Sequence, residues 1–354
     1  MQSSLPRYHP IAYWLIACAV LVWGMVILGG VTRLSGAGLS IVKWQPLIGL
    51  LPPMTRAAWQ QVFLDYQQFP EFQKVTFDMT LADFKFIYWI EWGHRFLGRL
   101  IGVVLLVPTI MCLIKADLRL LWKRFVLVWG LGISQGAMGW YMVKSGLVHD
   151  PWVSPYRLTA HLLLAFLILA VLLWTILDLW QPETQAHKQA SRSAWWLQVV
   201  LLGCIVLTVI FGGLTAGLKA GLIYNTFPDM GGYWLPPEAF ALRPWWVNFF
   251  ENPVLVQATH RFLALISCGV ALLWWWSTRH AETSMFRTGL VLAIIGQVIL
   301  GVSTLLLVVP MILGVVHQAW AAVVLLCGVA ILYENKPRVG ALSIQPPPSI
   351  RLPA

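Results

Sequence analysis

The sequence holds eight histidines, and four of them, His94, His161, His260 and His317, stand inside long apolar stretches. An ionisable side chain in such a stretch is costly to bury and marks a functional site by default. A neutral imidazole offers one nitrogen lone pair to a metal. Two imidazoles facing each other across a helical bundle can hold one flat metallocofactor between them, and haem iron takes such axial pairs. Pairing in chain order, His94 with His161 and His260 with His317, predicts two bis-histidine haem sites. A metal ion outside a macrocycle is the other option. It usually wants a third or fourth ligand, and no cysteine or carboxylate pair stands near to supply one. The bland alternative for a lone buried histidine is a satisfied interhelical hydrogen bond. His9, His149, His187 and His280 fall in termini or loops and read as solvated surface residues.

Glu91 is the one acid well inside a span, and it precedes His94 by three residues. Both therefore share one helix face, about a turn apart. The second half has Gln257 in QATH where the first half has EWGH. One site thus keeps a group that can exchange a proton and its counterpart does not. A carboxyl beside a macrocycle could relay protons. An ion pair with Arg95 or Arg99 is the structural alternative. Arg95 and Arg261 follow the histidines directly, and a guanidinium suits planar carboxylates such as haem propionates. A neighbour in sequence points about 100° away around a helix, so packing against outer loops competes with that role. Gly29, Gly30, Gly212 and Gly213 serve either close helix approach or helix ends. Cys18, Cys112, Cys204, Cys268 and Cys327 all fall within apolar stretches, as small packing residues without a structural disulfide.

The elements that must position these residues follow from composition. Of 354 residues 59% are hydrophobic and 11% charged, against about 25% charged in a soluble domain. Mean hydropathy is +0.73. These figures exclude a disordered chain, a nucleic-acid binder and an ordinary cytosolic enzyme, and they predict an all-α integral membrane protein. Eight stretches are long enough to cross a bilayer: 11–31, 86–114, 121–143, 158–179, 195–217, 256–277, 288–308 and 311–333. Pro310 divides the last two. The first has too long an apolar run, and no small-residue cleavage site, to read as a removed signal. With both termini inside, the inner segments carry twelve basic residues and the outer ones nine. The excess of basic residues in short inner loops sets that orientation. All four histidines then lie in the outer half of the membrane. Trp59, Val62, Phe63 and Tyr66 recur at helical spacing and predict a short surface helix in the first outer loop.

The two halves resemble each other. GGVTRLSGAGL from Gly29 echoes GGLTAGLKAGL from Gly212, and HRFL at His94 recurs at His260. Gln135 with Gly139 matches Gln297 with Gly301, and His161 matches His317. The offsets are 183, 166, 162 and 156, shrinking as the longer loops of the first half are passed. We read two tandem pseudo-symmetric four-helix bundles, residues 1–180 and 195–335, with a cytoplasmic linker at 181–194 and a flexible cytoplasmic tail at 336–354.

The stretches RLSGAGLSIVKWQPLIG, QFPEF, DMTL, FKFIYWIEWGHRFLGRLIG, YNTFPDMGG and ATHRFL resemble the haem A synthase family, in its proteobacterial and mitochondrial branch. The resemblance covers nearly all of residues 25–330. It implies an eight-span oxidoreductase of the bacterial inner membrane that converts haem O to haem A for cytochrome oxidase assembly. Two successive hydroxylations of one porphyrin methyl group give a gem-diol that dehydrates to the formyl. By motif it implies Glu91 as catalytic, His94 and His161 as axial ligands of the substrate haem, and His260 and His317 as axial ligands of a fixed haem b. Membrane lipid surrounds such a chain, and the haem O synthase that precedes it in the pathway is the implied partner. No motif names an electron acceptor. Some relatives carry a cysteine pair in an outer loop, which this chain lacks. A dihaem b-type electron-transfer cytochrome is the competing reading, and Glu91 argues against it. A transporter would place broken helices near the midplane instead.

Overall fold

The computed structural model describes residues 10–44, 48–115, 118, 121–148, 150–180, 192–279 and 285–335. His9, His149, His187, His280, the tail 336–354 and most of the linker lie outside these. The regular structure of the described residues is all helical, apart from one isolated antiparallel bridge between Met230 and Tyr233. Eleven α-helices run in order: α1 Pro10–Leu34, α2 Arg56–Gln67, α3 Pro70–Lys74, α4 Leu81–Ile114, α5 Trp122–Ser145, α6 Pro155–Trp180, α7 Arg192–Gly217, α8 Asn248–Glu251, α9 Pro253–Ser277, α10 Met285–Leu306 and α11 Met311–Glu334. Seven of them are long and apolar enough to cross a membrane, which makes the chain an integral membrane protein. The eighth long helix, α5, is not among the seven. Gly130, Gly132, Gly136, Gly139 and Gln135 dilute its apolar character, although its 24 residues are length enough.

Local chemistry sets the helix ends. Thr80 and Asp83 form a reciprocal capping box that starts α4 five residues before its apolar run. Asn252 caps α9 with Pro253 in the first turn. Pro310 caps α11, and the residues before it, Val308 and Val309, are both left-handed, with φ of 60° and 57°. Such a conformation costs a β-branched residue about 1–3 kcal/mol. The turn from α10 to α11 is four residues long, whereas the corresponding connection from α5 to α6 has nine. Asn225 braces the tight turn by donating to Leu305 O at 2.8 Å.

Helices α1, α4, α5 and α6 contact one another in a ring, and α7, α9, α10 and α11 do the same. Contacts of α1 with α11, and of α6 with α7 and α11, join the two groups. One buried apolar cluster runs through all eight long helices, from Leu15 and Phe166 to Trp274 and Leu325. A smaller cluster lies beneath α2, where Trp59 and Tyr66 meet Phe84 and Tyr88 of α4. There the buried Glu71 accepts from Tyr66 at 3.1 Å, and burial pushes its carboxyl up to about 7. A third cluster, around Met230 and Ala239, covers the start of α9.

The duplication is visible in backbone detail. Gly36 and Lys219 occupy equivalent places, both left-handed, with φ of 69° and 53°. Each opens a 3-10 turn, Ala37–Leu39 and Ala220–Leu222. Neither glycine pair ends its helix, since α1 continues to Leu34 and α7 to Gly217. Gly30 faces Gln318 and Val315 of α11 at 3.3 and 3.4 Å, and Gly213 faces Thr159 of α6 at 2.7 Å, as measured from a methyl built on each. Close approach across the two groups is therefore their role.

Candidate functional site

His260 on α9 and His317 on α11 face each other with ring centroids 6.4 Å apart and planes at 87°. His260 Nδ1 lies 3.0 Å from Thr208 O and, as the donor, leaves Nε2 free for a ligand. A metal–imidazole bond of about 2 Å on each side, plus about 1 Å from nitrogen to ring centre, would space two rings by about 6 Å. The observed separation suits one metal held between the two imidazoles, as bis-histidine haem requires.

Each of the four span histidines lies against a glycine of the preceding long helix. A methyl built on Gly29 would meet His94 at 3.4 Å, on Gly139 His161 at 3.0 Å, on Gly212 His260 at 3.0 Å, and on Gly301 His317 at 2.9 Å. The glycines let each imidazole approach a neighbouring backbone closely. Gln135 and Gln297 approach the Nε2 of His161 and His317, each at 3.4 Å. In both places the histidine Nδ1 and the glutamine Oε1 are buried without a protein partner. Buried polar atoms are rarely left so, and their recurrence at equivalent positions marks both as places built for a polar or metal-bearing ligand.

Glu91, 2% exposed, is held by the loop that follows α1 and by its own helix. One oxygen accepts from Ser40 Oγ and Ile41 N, both at 2.7 Å. The other accepts from Arg95 Nε at 3.0 Å and pairs with Arg95 Nη2. Arg95 also donates to Ile41 O at 2.8 Å and to Lys43 O at 3.4 Å. Gln257 does the same work with opposite polarity. Its amide donates to Ala220 O at 2.8 Å and Tyr224 O at 3.2 Å, while its Oε1 accepts from Arg261 at 3.2 Å. Arg261 further donates to Thr226 O, Asp229 O and Tyr224 O at 2.7–2.9 Å. The first half thus presents loop donors to a carboxylate, and the second presents loop carbonyls to an amide. Ser40 aligns with Ile223, so the hydroxyl that serves Glu91 is missing where no carboxylate needs it.

All the long-helix histidines, Glu91, Arg95 and Arg261 fall in the described helices. The Glu91–Arg95 ion pair is the structural alternative weighed from sequence, and both arginines bind loop backbone. Sequence reasoning missed Ser40 and the Ile41 N–H. The signal was available: Ser40 and Glu91 change together across the repeat. Among the described residues no cluster of three or more His, Cys, Asp or Glu side chains could hold a metal by itself. The five cysteines are free thiols within helices.

Fold and site together define a class, an integral membrane protein with glycine-backed imidazoles inside packed helices. The chain belongs to the COX15-CtaA family of cytochrome oxidase assembly proteins, whose model matches residues 12–329. It is 45% identical over 332 residues to the heme A synthase of Nitrosospira multiformis, covering 92% of each chain. It is 44% identical over 338 residues to that of Parvibaculum lavamentivorans, covering 95% of this chain and 96% of the relative. To that of Nitrosomonas eutropha it is 42% identical over 329 residues, covering 89% and 90%.

Proposed function

We propose that this protein is a haem A synthase, oxidising one methyl group of haem O through two hydroxylations to the formyl of haem A. The observation that carries the reading is the His260–His317 pair, spaced for one metal, in a chain 45% identical to a protein of that name. The chain crosses the bacterial inner membrane eight times, α5 included, as two tandem four-helix bundles with both termini cytoplasmic. The inner excess of basic residues supports this orientation. Residues 1–180 form the half that takes the substrate and 195–335 the half that keeps a cofactor, with 181–194 the cytoplasmic linker and 336–354 the tail.

In the second half His260 and His317 would hold a fixed haem b. That group supplies electron exchange when bound. The chain supplies the spacing of the imidazoles, the Thr208 carbonyl that orients His260, and the glycines that let the rings approach neighbouring helices. In the first half His94 and His161 bind the substrate haem O. Glu91, one turn toward the outer face from His94, exchanges the protons of methyl oxidation. Arg261 keeps a buried Nε without a protein partner, and we assign it to a propionate. Arg95 has its fork engaged by Glu91 and the loop, so any propionate contact there is shared with them. The haem O synthase that makes the substrate is the expected partner.

Haem extracted from purified protein tests the reading. Haem b together with haem O, haem A or the hydroxylated intermediate supports a synthase, and haem b alone at two per chain supports an electron-transfer cytochrome. Reporter fusions test the orientation. Fusions after Lys188 and Arg338 should read cytoplasmic and one near Phe72 periplasmic, and a periplasmic reading at Lys188 would overturn the topology.

The glycine contacts give a third expectation. Gly301→Ala should press a methyl into the His317 ring, at an overpacking cost of about 1–3 kcal/mol. Haem b content should fall and its absorption bands should shift. Gly289→Ala on the same helix meets nothing within 4 Å and should bind normally. Equal haem spectra in the two variants would remove the positioning role.

A further inference from the structure

Arg33 closes the last turn of α1. Gly29, four residues earlier and on the same helix face, is the residue against which the His94 ring lies. Arg33 Nη2 donates to Ala216 O near the end of α7. Ala216 in turn lies four residues beyond Gly212, against which the His260 ring lies. Arg33 and Ala216 are repeat partners, separated by the same 183 residues as Gly29 and Gly212. One guanidinium therefore stands a turn above both histidine sites, and its repeat partner carries no charge.

Its surroundings call for an anion. A guanidinium has five N–H donors, and among the described residues only the Ala216 carbonyl accepts from it. Thr215 Oγ1, beside Ala216, is buried with no protein partner. Lys219 adds a second positive charge. Burial and the Arg33 guanidinium hold its ammonium below the usual lysine range, while Glu71 draws it up. A half-buried cation bonded to one main-chain carbonyl gains most from a carboxylate, which the planar fork grips with two parallel bonds. The ligand assigned to both sites carries two carboxylates.

We propose that Arg33 is a propionate anchor shared by both haem sites, binding a carboxylate of each macrocycle across the junction of the two halves. The assignment rests on the haem reading above. It has an electrostatic consequence, because a positive charge beside a haem favours the reduced form. Through Arg33, occupation of one site changes the field at the other.

The test uses full-length protein purified from cells that make haem, as wild type, Arg33→Gln and Arg33→Lys. The readouts are haem b per chain, the rate of haem loss to excess apomyoglobin, and the midpoint potential of bound haem b by optical redox titration. Arg33→Gln should lower the midpoint and release haem several-fold faster. Arg33→Lys keeps the charge but not the fork, so its midpoint should stay near wild type while haem loss still quickens. A role confined to bracing Ala216 would lower protein yield and leave the midpoint of the remaining haem unmoved. If Arg33→Gln fails to accumulate, Arg33→Lys with wild-type haem loss is enough to overturn the anchor. A wild-type chain that purifies without haem b overturns the haem reading itself. Haem-bearing wild type matched by both variants in midpoint and haem loss overturns only Arg33.

Discussion

Replacing His260 or His317 with alanine should strip the second-half site of its b-type haem. On the proposed assignment each change removes one of the two ligands, and even changes to the groups behind a ligand cost about 10–100-fold in metal affinity. Loss of the ligand itself should exceed about tenfold, leaving little haem b per purified chain. The helices should persist, since α9 and α11 pack along their length into the common apolar cluster and alanine is a strong helix former. The same change at His94 or His161 should spare the fixed haem and abolish conversion of haem O. The measurement is the pyridine haemochrome content and Soret spectrum of each variant per mole of intact protein. Unchanged haem b in both second-half variants would sink the assignment of that pair.

Glu91→Gln should lower the ratio of haem A to haem O by about 10²–10⁴, equivalent to about 3–5 kcal/mol of barrier, if Glu91 transfers protons. The change also has a structural cost. An amide in that position can still accept from Arg95, but its NH₂ would face the Ile41 N–H, donor against donor. A buried donor left unpaired costs about 1–3 kcal/mol. A control is therefore needed that disturbs the same bonds without removing the carboxylate. Ser40→Ala takes away one donor to Glu91 at 2.7 Å, and with it only a longer contact to Ile87 O at 3.4 Å. If Glu91 only braces the loop, Ser40→Ala and Glu91→Gln should lower protein yield and product together, in similar proportion. If it handles protons, Ser40→Ala should leave most of the ratio intact while Glu91→Gln collapses it. A wild-type ratio in Glu91→Gln would exclude the catalytic role.

Apolar stretches in the sequence coincide with all eight long helices of the described residues, seven of which are long and apolar enough to cross a bilayer. Hydropathy fixed the start of α4 poorly. The capping box of Thr80 and Asp83 recruits a polar first turn that an apolar run cannot reveal. The short helix α2 was legible from Trp59 and Tyr66, which are the residues it buries. The repeat brought the four histidines, the two glutamines and the glycines into correspondence. It did not say which way a glycine faces. Close approach and helix ending remained open for Gly29 and Gly30 because the rotation of a helix about its axis is set by its neighbours. The loop that grips Glu91 lies about fifty residues away in sequence, and the contact of Arg33 with Ala216 spans 183. Such contacts have no local signature. Their trace is the pattern of what changes together between halves, Ser40 with Glu91 and Ile223 with Gln257.

The unequal turns bear on time as well as shape. Beside the second pair of histidines α10 passes to α11 through four residues, two of them in left-handed backbone and braced by Asn225. So short a turn has few ways to open short of unravelling the helices it joins. Beside the first pair α5 and α6 are joined by nine residues, more than twice that length. Escape from beneath a closure is limited by how often the closure opens. On the proposed assignment, two sites with matching histidine pairs would therefore differ in residence time. A short dwell suits a molecule that must arrive, react and leave, and a long dwell suits one that stays through many turnovers.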